Sequence, residues 1–124
     1  MMLLIIFVLI YVFVDNSSTK VIAYDLASNY TINRNEADKN YLNKEIELTG
    51  IVSAYYDLEN ESDLLQLKSG NKYPAIYCIL THIEDEQKAG KLTSGTEITI
   101  NGKCLGLQDR KFPESIYIEV ITIK

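Results

Sequence analysis

Apolar and polar residues alternate from Glu45 to Ala54, and this alternation is the strongest constraint that the sequence places on the fold. A period of two puts successive side chains on opposite faces of an extended strand, so we predict a long β-strand here. Gly50 inside it predicts a bulge or sharp bend, by which one strand serves two parts of a curved sheet. The apolar face consists of Ile46, Leu48, Gly50, Val52 and Ala54.

Four more segments have the composition of β-strands, and an acidic segment between two of them predicts a short helix. The predicted order is strand, strand, strand, helix, strand, strand. A mainly β chain of this order has the plan of a five-stranded OB-fold, a partly open Greek-key barrel with a helix between strands three and four. The later strands are predicted at Leu64 to Lys68, Pro74 to Thr81, Glu97 to Leu105 and Ser115 to Ile123, and the helix at Glu84 to Ala89.

The second and third strands are predicted to form a tight hairpin, because Ser69-Gly70-Asn71-Lys72 has the composition of a short turn. The third strand alternates like the first. Its inward face is predicted to hold Ile76, Cys78 and Leu80, and its outward face Ala75, Tyr77 and Ile79.

The first fourteen residues, MMLLIIFVLIYVFV, contain no charge, and no Lys or Arg precedes them. A helix of this length is about 21 Å long, whereas a bilayer core is about 30 Å thick. Residues 1–16 are therefore predicted to be the apolar part of a cleaved signal peptide or a signal anchor. Both interpretations predict a globular domain outside the cytoplasm, in the periplasm or at the cell surface, and a retained anchor, which we prefer, predicts membrane association.

Residues 17–44 are predicted to be a helical lead-in to the barrel, which takes residues 45–124. Ser17 or Ser18 could act as the N-cap of a first amphipathic helix. Asn33 or Asn35 could open a further helical turn. The apolar positions of the first helix recur every four residues at Ile22, Leu26 and Tyr30.

Several of these segments resemble the tRNA_anti-like family of OB-fold proteins, which are exported or membrane-associated bacterial proteins. The resemblance covers about Ile22 to Ile123 and implies the OB-fold without implying a particular activity. Many members carry a lipoprotein signal, whereas this chain has no cysteine near its apolar run. The matching motifs are Asn35-Glu36-Ala37-Asp38 with Tyr41 and Lys44, Leu48-Thr49-Gly50-Ile51-Val52, Cys78, Gly95 and Gly102-Lys103-Cys104-Leu105-Gly106.

Cys78 and Cys104 are the only cysteines of the chain. Their separation does not fit a Cys-x-x-Cys metal or redox motif. A disulfide between them would stabilise the domain by roughly 3 kcal/mol in the chain-entropy model, and export would favour it. Two reduced thiols in the core are the alternative.

All seventeen acidic and twelve basic residues follow Val14, so the net charge of −5 belongs to the globular part. A protein that binds a phosphate backbone normally shows a basic patch, and an acidic domain would have to build one locally. The negative net charge therefore makes nucleic acid a less favoured partner than the other classes.

OB domains bind ligands on the face of their second and third strands and on the loops that flank it. In this chain the first of those loops holds four acids between Asp57 and Asp63. Tyrosines on the face could stack on nucleobases or could be half-buried parts of the barrel wall. The candidate ligand face consists of Lys68, Lys72, Tyr73, Tyr77, Arg110 and Lys111.

Known catalytic and metal-binding patterns fit the sequence poorly. His82 is the single histidine, which leaves no His/Cys set for zinc and no motif for a catalytic triad. The acids from Asp57 to Asp63 have the spacing of a calcium loop, but Ser62 and Lys68 stand where such a loop needs Gly and Glu. We therefore predict no enzymatic activity, no metal and no cofactor.

The leading hypothesis is a non-enzymatic, membrane-associated OB-fold binding module for a protein, peptide or glycan. Its motivation is the predicted barrel together with the apolar N-terminal run. A single-stranded nucleic-acid or oligosaccharide binder is the alternative, motivated by the tyrosines and by Arg110 and Lys111.

Overall fold

The computed structural model describes residues 18–124, and these residues form six strands and three helices. The predicted signal or anchor segment, residues 1–16, lies outside them. The elements in chain order are β1 (Thr19–Ile22), α1 (Ala23–Ile32), α2 (Arg34–Tyr41), β2 (Glu45–Tyr56), β3 (Asp63–Leu67), β4 (Ile76–Leu80), α3 (Ile83–Gly90), β5 (Glu97–Gln108) and β6 (Ser115–Ile123).

Five of the strands close into a barrel. The order of neighbours is β2, β3, β4, β6 and β5, and β5 pairs back onto β2. β4 and β6 run parallel, whereas the other barrel pairs are antiparallel. With α3 between β4 and β5, this is the OB-fold plan, and the predicted fold class is confirmed.

β2 pairs with β5 through residues 45–51 and with β3 through residues 52–56, so it serves two sides of the barrel. The register shifts between Val52 and Ala54 rather than at Gly50. Gly50 instead permits close packing, because a Cβ there would lie 2.9 Å from Ala23 Cβ. The bend is therefore displaced from the predicted residue, and Gly50 allows α1 to pack closely on the barrel.

The interior of the barrel contains the apolar alternate positions of the strands. Ile46, Leu48 and Ile100 are completely buried there. Each such side chain contributes about 1.5–3 kcal/mol through its removal from water. The predicted faces of β4 are confirmed, because Ile76, Cys78 and Leu80 lie in this core and Ala75, Tyr77 and Ile79 lie in a second cluster outside it.

The predicted start of the first helix is wrong. Residues Thr19–Ile22 form β1, which pairs in parallel with residues 46–49 of β2. The helix begins at Ala23, its N-cap is Ile22, and no side chain caps it. Pairing with β2 stabilises an extended conformation that the helical spacing of Ile22, Leu26 and Tyr30 does not indicate. Asn33 does cap α2, since its side chain accepts a hydrogen bond from the Glu36 N–H (3.2 Å).

The predicted tight hairpin between β3 and β4 is also wrong. Leu67 pairs with Ile76, so residues 68–75 form an eight-residue loop. Gly70 in this loop has φ +90°, a left-handed conformation that a glycine adopts at low cost. Tyr73 packs edge-on against Tyr24 of α1, with 5.2 Å between ring centroids. This contact holds the loop against α1, so the chain does not turn directly from β3 into β4.

The predicted disulfide between Cys78 and Cys104 is absent, and both thiols are free and buried. Both cysteines lie beside Ile118 of β6, Cys78 on the β4 side and Cys104 on the β5 side. Two strand spacings separate the cysteines by about 9–10 Å. A disulfide requires its Cα atoms within about 7 Å of each other. The intervening strand β6 therefore prevents the bond.

Candidate ligand-binding face

An aromatic and aliphatic cluster covers the outer side of β3, β4 and β6. Its fully buried members are Leu64, Tyr77 and Tyr117, one from each strand. They lie on the outward face of the barrel because alternate residues of these strands fill the interior. We call this surface the outer face. It is the side on which OB-folds bind ligands.

The outer face is shielded by the loop between β5 and β6, residues 109–114, which we call the β5–β6 loop. Its half-buried Phe112 stacks on Tyr77, with 4.4 Å between ring centroids and 14° between planes. Tyr56 approaches the same phenylalanine at 5.1 Å and 52°. The rings of Tyr56 and Tyr77 contact each other edge to face, with 6.0 Å between centroids. Phe112 covers the corner between these two rings, which we call the aromatic slot.

Tyr117 holds the β5–β6 loop through its hydroxyl. The Phe112 N–H donates to the Tyr117 hydroxyl at 3.0 Å, and that hydroxyl donates to the Phe112 carbonyl oxygen at 2.8 Å. Asp109 closes the loop on itself by accepting a hydrogen bond from the Glu114 N–H at 2.7 Å. The backbone of Phe112 is therefore fixed independently of its ring.

Residues 57–62, the β2–β3 loop, border the outer face on another side. Asp63 organises this loop, because its carboxylate accepts a hydrogen bond from the Leu58 N–H at 3.0 Å and another from the Tyr55 hydroxyl. Burial raises the pKa of Tyr55, and the hydrogen bond to Asp63 raises it further. The Tyr55 hydroxyl consequently remains a donor at neutral pH.

A cavity of about 390 Å³, the loop pocket, lies between the β2–β3 and β5–β6 loops. Its rim carries Glu61, Arg110 and Lys111, and Lys111 Nζ lies 3.8 Å from a Glu61 carboxylate oxygen. The Arg110 guanidinium lies over the Tyr117 ring, 5.5 Å from its centroid. The floor is apolar and consists of Leu58, Leu64, Ile79 and Tyr117.

The charge around the loop pocket is uneven. Asp57, Glu59 and Glu61 are all exposed on the β2–β3 loop, and Lys111 pairs with only one of them. The opposite rim carries Arg110 and Lys111. The β2–β3 loop therefore forms an acidic edge beside the pocket: Glu61 lines the pocket itself, whereas Asp57 and Glu59 line a neighbouring cavity of about 570 Å³.

The structure divides the six predicted ligand-face residues among four places. Arg110 and Lys111 line the loop pocket, whereas Tyr77 lies in the aromatic slot and is only 6 % exposed. Lys72 and Tyr73 line another cavity, of about 760 Å³, on the other side of the β5–β6 loop. Lys68 is exposed just after β3. These six side chains therefore do not form one continuous ligand-binding surface.

Tyr77 keeps a neutral ring in the slot. Burial raises its pKa above the ordinary tyrosine value, and the neighbouring Tyr56 and Tyr117 raise it further. The face of this neutral ring is available for stacking. The slot is therefore suited to a flat apolar group.

The sequence patterns indicate neither Phe112 nor Tyr117 as a residue of the ligand face. Phe112 is the only phenylalanine after residue 14, which is a usable signal in retrospect. Tyr117 alternates with Ser115 and Glu119 along β6, so an aromatic residue stands among outward polar positions. Neither pattern reveals that the loop folds back onto the barrel.

Within residues 18–124, no helix is long and apolar enough to cross a membrane. Nor does this range contain a group of three or more His, Cys, Asp or Glu placed to hold a metal ion.

The sequence of this chain matches the model of the tRNA_anti-like family over residues 14–112. No curated protein matches it in sequence. The match to the family model covers β2 to β5 with the β2–β3 loop, and it ends at Phe112 within the β5–β6 loop.

Solved structures share the fold at low identity. A protein from Leishmania major named as an aspartyl-tRNA synthetase superposes with a TM-score of 0.59 and 13 % identity, covering 87 % of this chain and 20 % of that one. The asparaginyl-tRNA synthetase of Pyrococcus horikoshii gives 0.51 and 15 %, covering 67 % and 19 %. This chain thus spans about a fifth of each synthetase.

A structure of similar size comes from Klebsiella pneumoniae. It is a lipoprotein whose name proposes nucleic-acid binding, and it superposes with a TM-score of 0.56 and 16 % identity. The alignment covers 85 % of this chain and 92 % of the lipoprotein. At such identities these likenesses establish the fold.

Proposed function

This chain belongs to the tRNA_anti-like family, and we propose that its OB barrel is a non-catalytic module that binds an extended protein segment in the loop pocket. The family's domain is of a kind that binds rather than catalyses. The observation that carries the proposal is the apolar floor of the loop pocket, bordered by Arg110 and Lys111 and by the acidic β2–β3 loop.

The apolar floor is suited to one aliphatic side chain of a partner. Leu64 and Tyr117 are rigidly placed at the base, and Leu58 and Ile79 are half-buried at the sides. Transfer of a leucine-sized side chain from water into such a site contributes about 1.5–3 kcal/mol. This alone gives weak binding, so neighbouring contacts must set the affinity.

The acidic edge favours a basic neighbour in the partner. Of the three exposed acids on the β2–β3 loop, Asp57 and Glu59 have no ion-pair partner among the described residues. A Lys or Arg next to the buried aliphatic residue would face these carboxylates. The same acids would repel a phosphate backbone, and the net charge of −5 acts in the same sense.

Calorimetric titration with two synthetic peptides tests this proposal. The full chain in detergent micelles is titrated with a short peptide carrying Leu between two Lys residues, and with the same peptide carrying Glu in their place. We expect the lysine peptide to bind about tenfold more tightly, which corresponds to about 1.4 kcal/mol. Equal binding of both peptides, or binding of neither, contradicts the proposal.

A matched pair of variants locates the effect. Glu59→Lys reverses a charge on the β2–β3 loop and should abolish the preference for the lysine peptide. Glu84→Lys makes the same change on the exposed start of α3, outside the lining of the loop pocket, and should leave the preference intact. Loss of the preference in both variants would indicate a general charge effect.

Single-stranded nucleic acid is the second candidate, supported by the basic edge of the pocket. Arg110 over Tyr117 and Lys111 beside it could bind phosphate, and Lys72 lies next to Tyr73 in the adjacent cavity. The likeness to a lipoprotein named for nucleic-acid binding adds support. This candidate is weaker than the first, because Phe112 covers Tyr77 and the acids of the β2–β3 loop would repel phosphate.

Titration with oligouridylate at two salt concentrations tests the second candidate. Binding that weakens as salt rises, and that is lost in Lys68→Glu, Lys72→Glu and Arg110→Glu variants, would favour nucleic acid over protein. Absence of binding at low salt would eliminate it. A glycan partner has no support from the comparisons.

We further propose that the apolar residues 1–14 bring the protein to a membrane, with the barrel outside the cytoplasm. The support is the charge-free run and the likeness to a lipoprotein. Protease added to spheroplasts, in which the cytoplasmic membrane is the remaining barrier, should digest the barrel. Protection until the cytoplasmic membrane is permeabilised would contradict this location.

A further inference from the structure

The occupied aromatic slot suggests a binding subsite next to the loop pocket. Phe112 stacks on Tyr77 at 4.4 Å and 14°, an offset-parallel geometry typical of one aromatic ring bound to another. Tyr56 contacts it from the side, and Tyr117 continues the stack behind Tyr77 at 5.8 Å and 29°. The slot thus holds one flat ring, which at present comes from the chain itself.

The loop that supplies this ring is weakly attached elsewhere. Asp109, Arg110 and Lys111 are exposed, and the Lys111 to Glu61 pair, with its partly exposed partners, contributes at most about 1 kcal/mol. The loop is held to the barrel mainly by the Phe112 ring and by the two hydrogen bonds to the Tyr117 hydroxyl. The ring could therefore leave the slot without disturbing the barrel core.

The β5–β6 loop also separates two cavities. Arg110 and Lys111 line the loop pocket on one side, and Asp109 and Glu114 line the cavity of about 760 Å³ on the other. Displacement of Phe112 would expose the Tyr77 ring between them.

We propose that the aromatic slot is a subsite for an aromatic side chain of the protein partner, and that this side chain displaces Phe112 when the partner binds. The inference rests on the proposed function of the loop pocket. The acids of the adjacent β2–β3 loop favour a side chain from a basic peptide over a nucleobase, which would bring a phosphate towards Asp57 and Glu59.

Phe112→Ala tests the slot directly, because it removes the ring and keeps the backbone N–H and C=O that bond to Tyr117. The full chain in micelles is titrated with N-acetyltryptophanamide, and the ring proton resonances of Tyr77 are followed by NMR. We expect the variant to bind this probe at least tenfold more tightly than the natural chain, with upfield shifts of the Tyr77 resonances. Ile121→Ala, an exposed position on β6 outside both cavities, should behave like the natural chain.

Equal affinities in Phe112→Ala and the natural chain, or no shift at Tyr77, would overturn the subsite. Preference of the variant for uridine monophosphate over N-acetyltryptophanamide would overturn the assignment to a protein side chain and favour a nucleobase. If the alanine variant does not fold, Phe112→Trp provides the test instead. The natural chain contains no tryptophan, so all tryptophan fluorescence of this variant comes from position 112.

The tryptophan in Phe112→Trp should fluoresce at short wavelength while its ring occupies the slot. Addition of a short peptide carrying Phe between two Lys residues should shift the emission to the red as the ring is displaced. An unchanged emission under calorimetrically confirmed binding would overturn the subsite and leave the proposed function standing. Entry of N-acetyltryptophanamide into Phe112→Ala without any peptide binding would support the subsite and contradict the proposed function.

Discussion

The ring of Phe112 lies nearly parallel to the ring of Tyr77, 4.4 Å away, although thirty-four residues separate them along the chain. Tyr77 belongs to the face on which an OB barrel binds ligands, and Phe112 belongs to a loop that borders that face. The barrel therefore shields part of its own candidate binding face. The open part is the loop pocket, and the account of function depends on these two neighbouring sites.

Tyr117→Phe should loosen the β5–β6 loop. The change removes both hydrogen bonds to the Phe112 backbone while keeping the buried ring. Each bond contributes about 0.5–1.5 kcal/mol net, so the free energy of unfolding should fall by about 1–3 kcal/mol. Denaturant unfolding measures this loss, and hydrogen exchange of the Phe112 amide should become faster.

Tyr24→Phe is the control for that variant, because it removes a hydroxyl from a tyrosine that is 52 % exposed. Its stability should change by no more than about 0.5 kcal/mol. Unchanged exchange at Phe112 in Tyr117→Phe would show that the hydroxyl does not hold the loop.

Gly102→Ala should destabilise the barrel where β5 packs against β6. A Cβ at this position would lie 2.6 Å from Ile118 Cγ2 and 2.8 Å from the carbonyl oxygen of Glu119. The backbone oxygen cannot move away easily, so we expect a loss of about 1–3 kcal/mol in the free energy of unfolding. Gly90→Ala is the matched control, since a Cβ there meets nothing within 4 Å. Equal stabilities of the two variants would contradict the packing described at Gly102.

Stability should fall at alkaline pH through Tyr30, Tyr55 and Tyr77. Burial is the largest cause that raises the pKa of each of these tyrosines. An unfolded tyrosine titrates near about pH 10, so above this pH the unfolded chain releases protons that the folded chain still holds. Stabilisation from these groups is therefore complete below about pH 10 and is lost as the pH rises further.

Denaturant unfolding over a pH series, together with the phenolate absorbance, measures this effect. These three tyrosines should ionise only as the protein unfolds. Their ionisation at the ordinary tyrosine pKa in the folded protein would contradict the described burial.

Cys78 and Cys104 should be unreactive in the folded protein. Burial raises the pKa of Cys78 to about 12 and also raises that of Cys104, and both thiols lie in the barrel core. An aromatic disulfide reagent should therefore modify neither thiol at neutral pH and both in denaturant. Denatured protein isolated without reductant that shows no free thiol would demonstrate a disulfide and contradict the position of β6 between the two cysteines.

The strand pattern could be predicted because it is local. Alternation predicted β2 and the faces of β4, and β6 begins and ends at the predicted residues Ser115 and Ile123. β1 could not be predicted in this way, because Ile22 also fits a helical spacing and only pairing with β2 makes it extended. The register shift beyond Gly50 is likewise a property of two strands together.

The candidate site was less predictable because it depends on contacts between distant parts of the chain. Arg110 and Lys111 were expected near the ligand face, and they line the loop pocket. Tyr77 was placed correctly on the outward side of β4, but sequence periodicity contains no information about a loop that covers it. The absent disulfide has the same cause, since spacing along the chain does not reveal that Ile118 separates the two cysteines.

The most direct test of the central claim is chemical-shift mapping of the full chain during titration with the lysine-flanked leucine peptide. We predict that the amide resonances of Leu58, Ile79 and Lys111 move together to saturation, while that of Lys91, exposed after α3, stays unchanged. Movement confined to residues outside the loop pocket, or no movement at any residue, would contradict binding of a protein segment at this face.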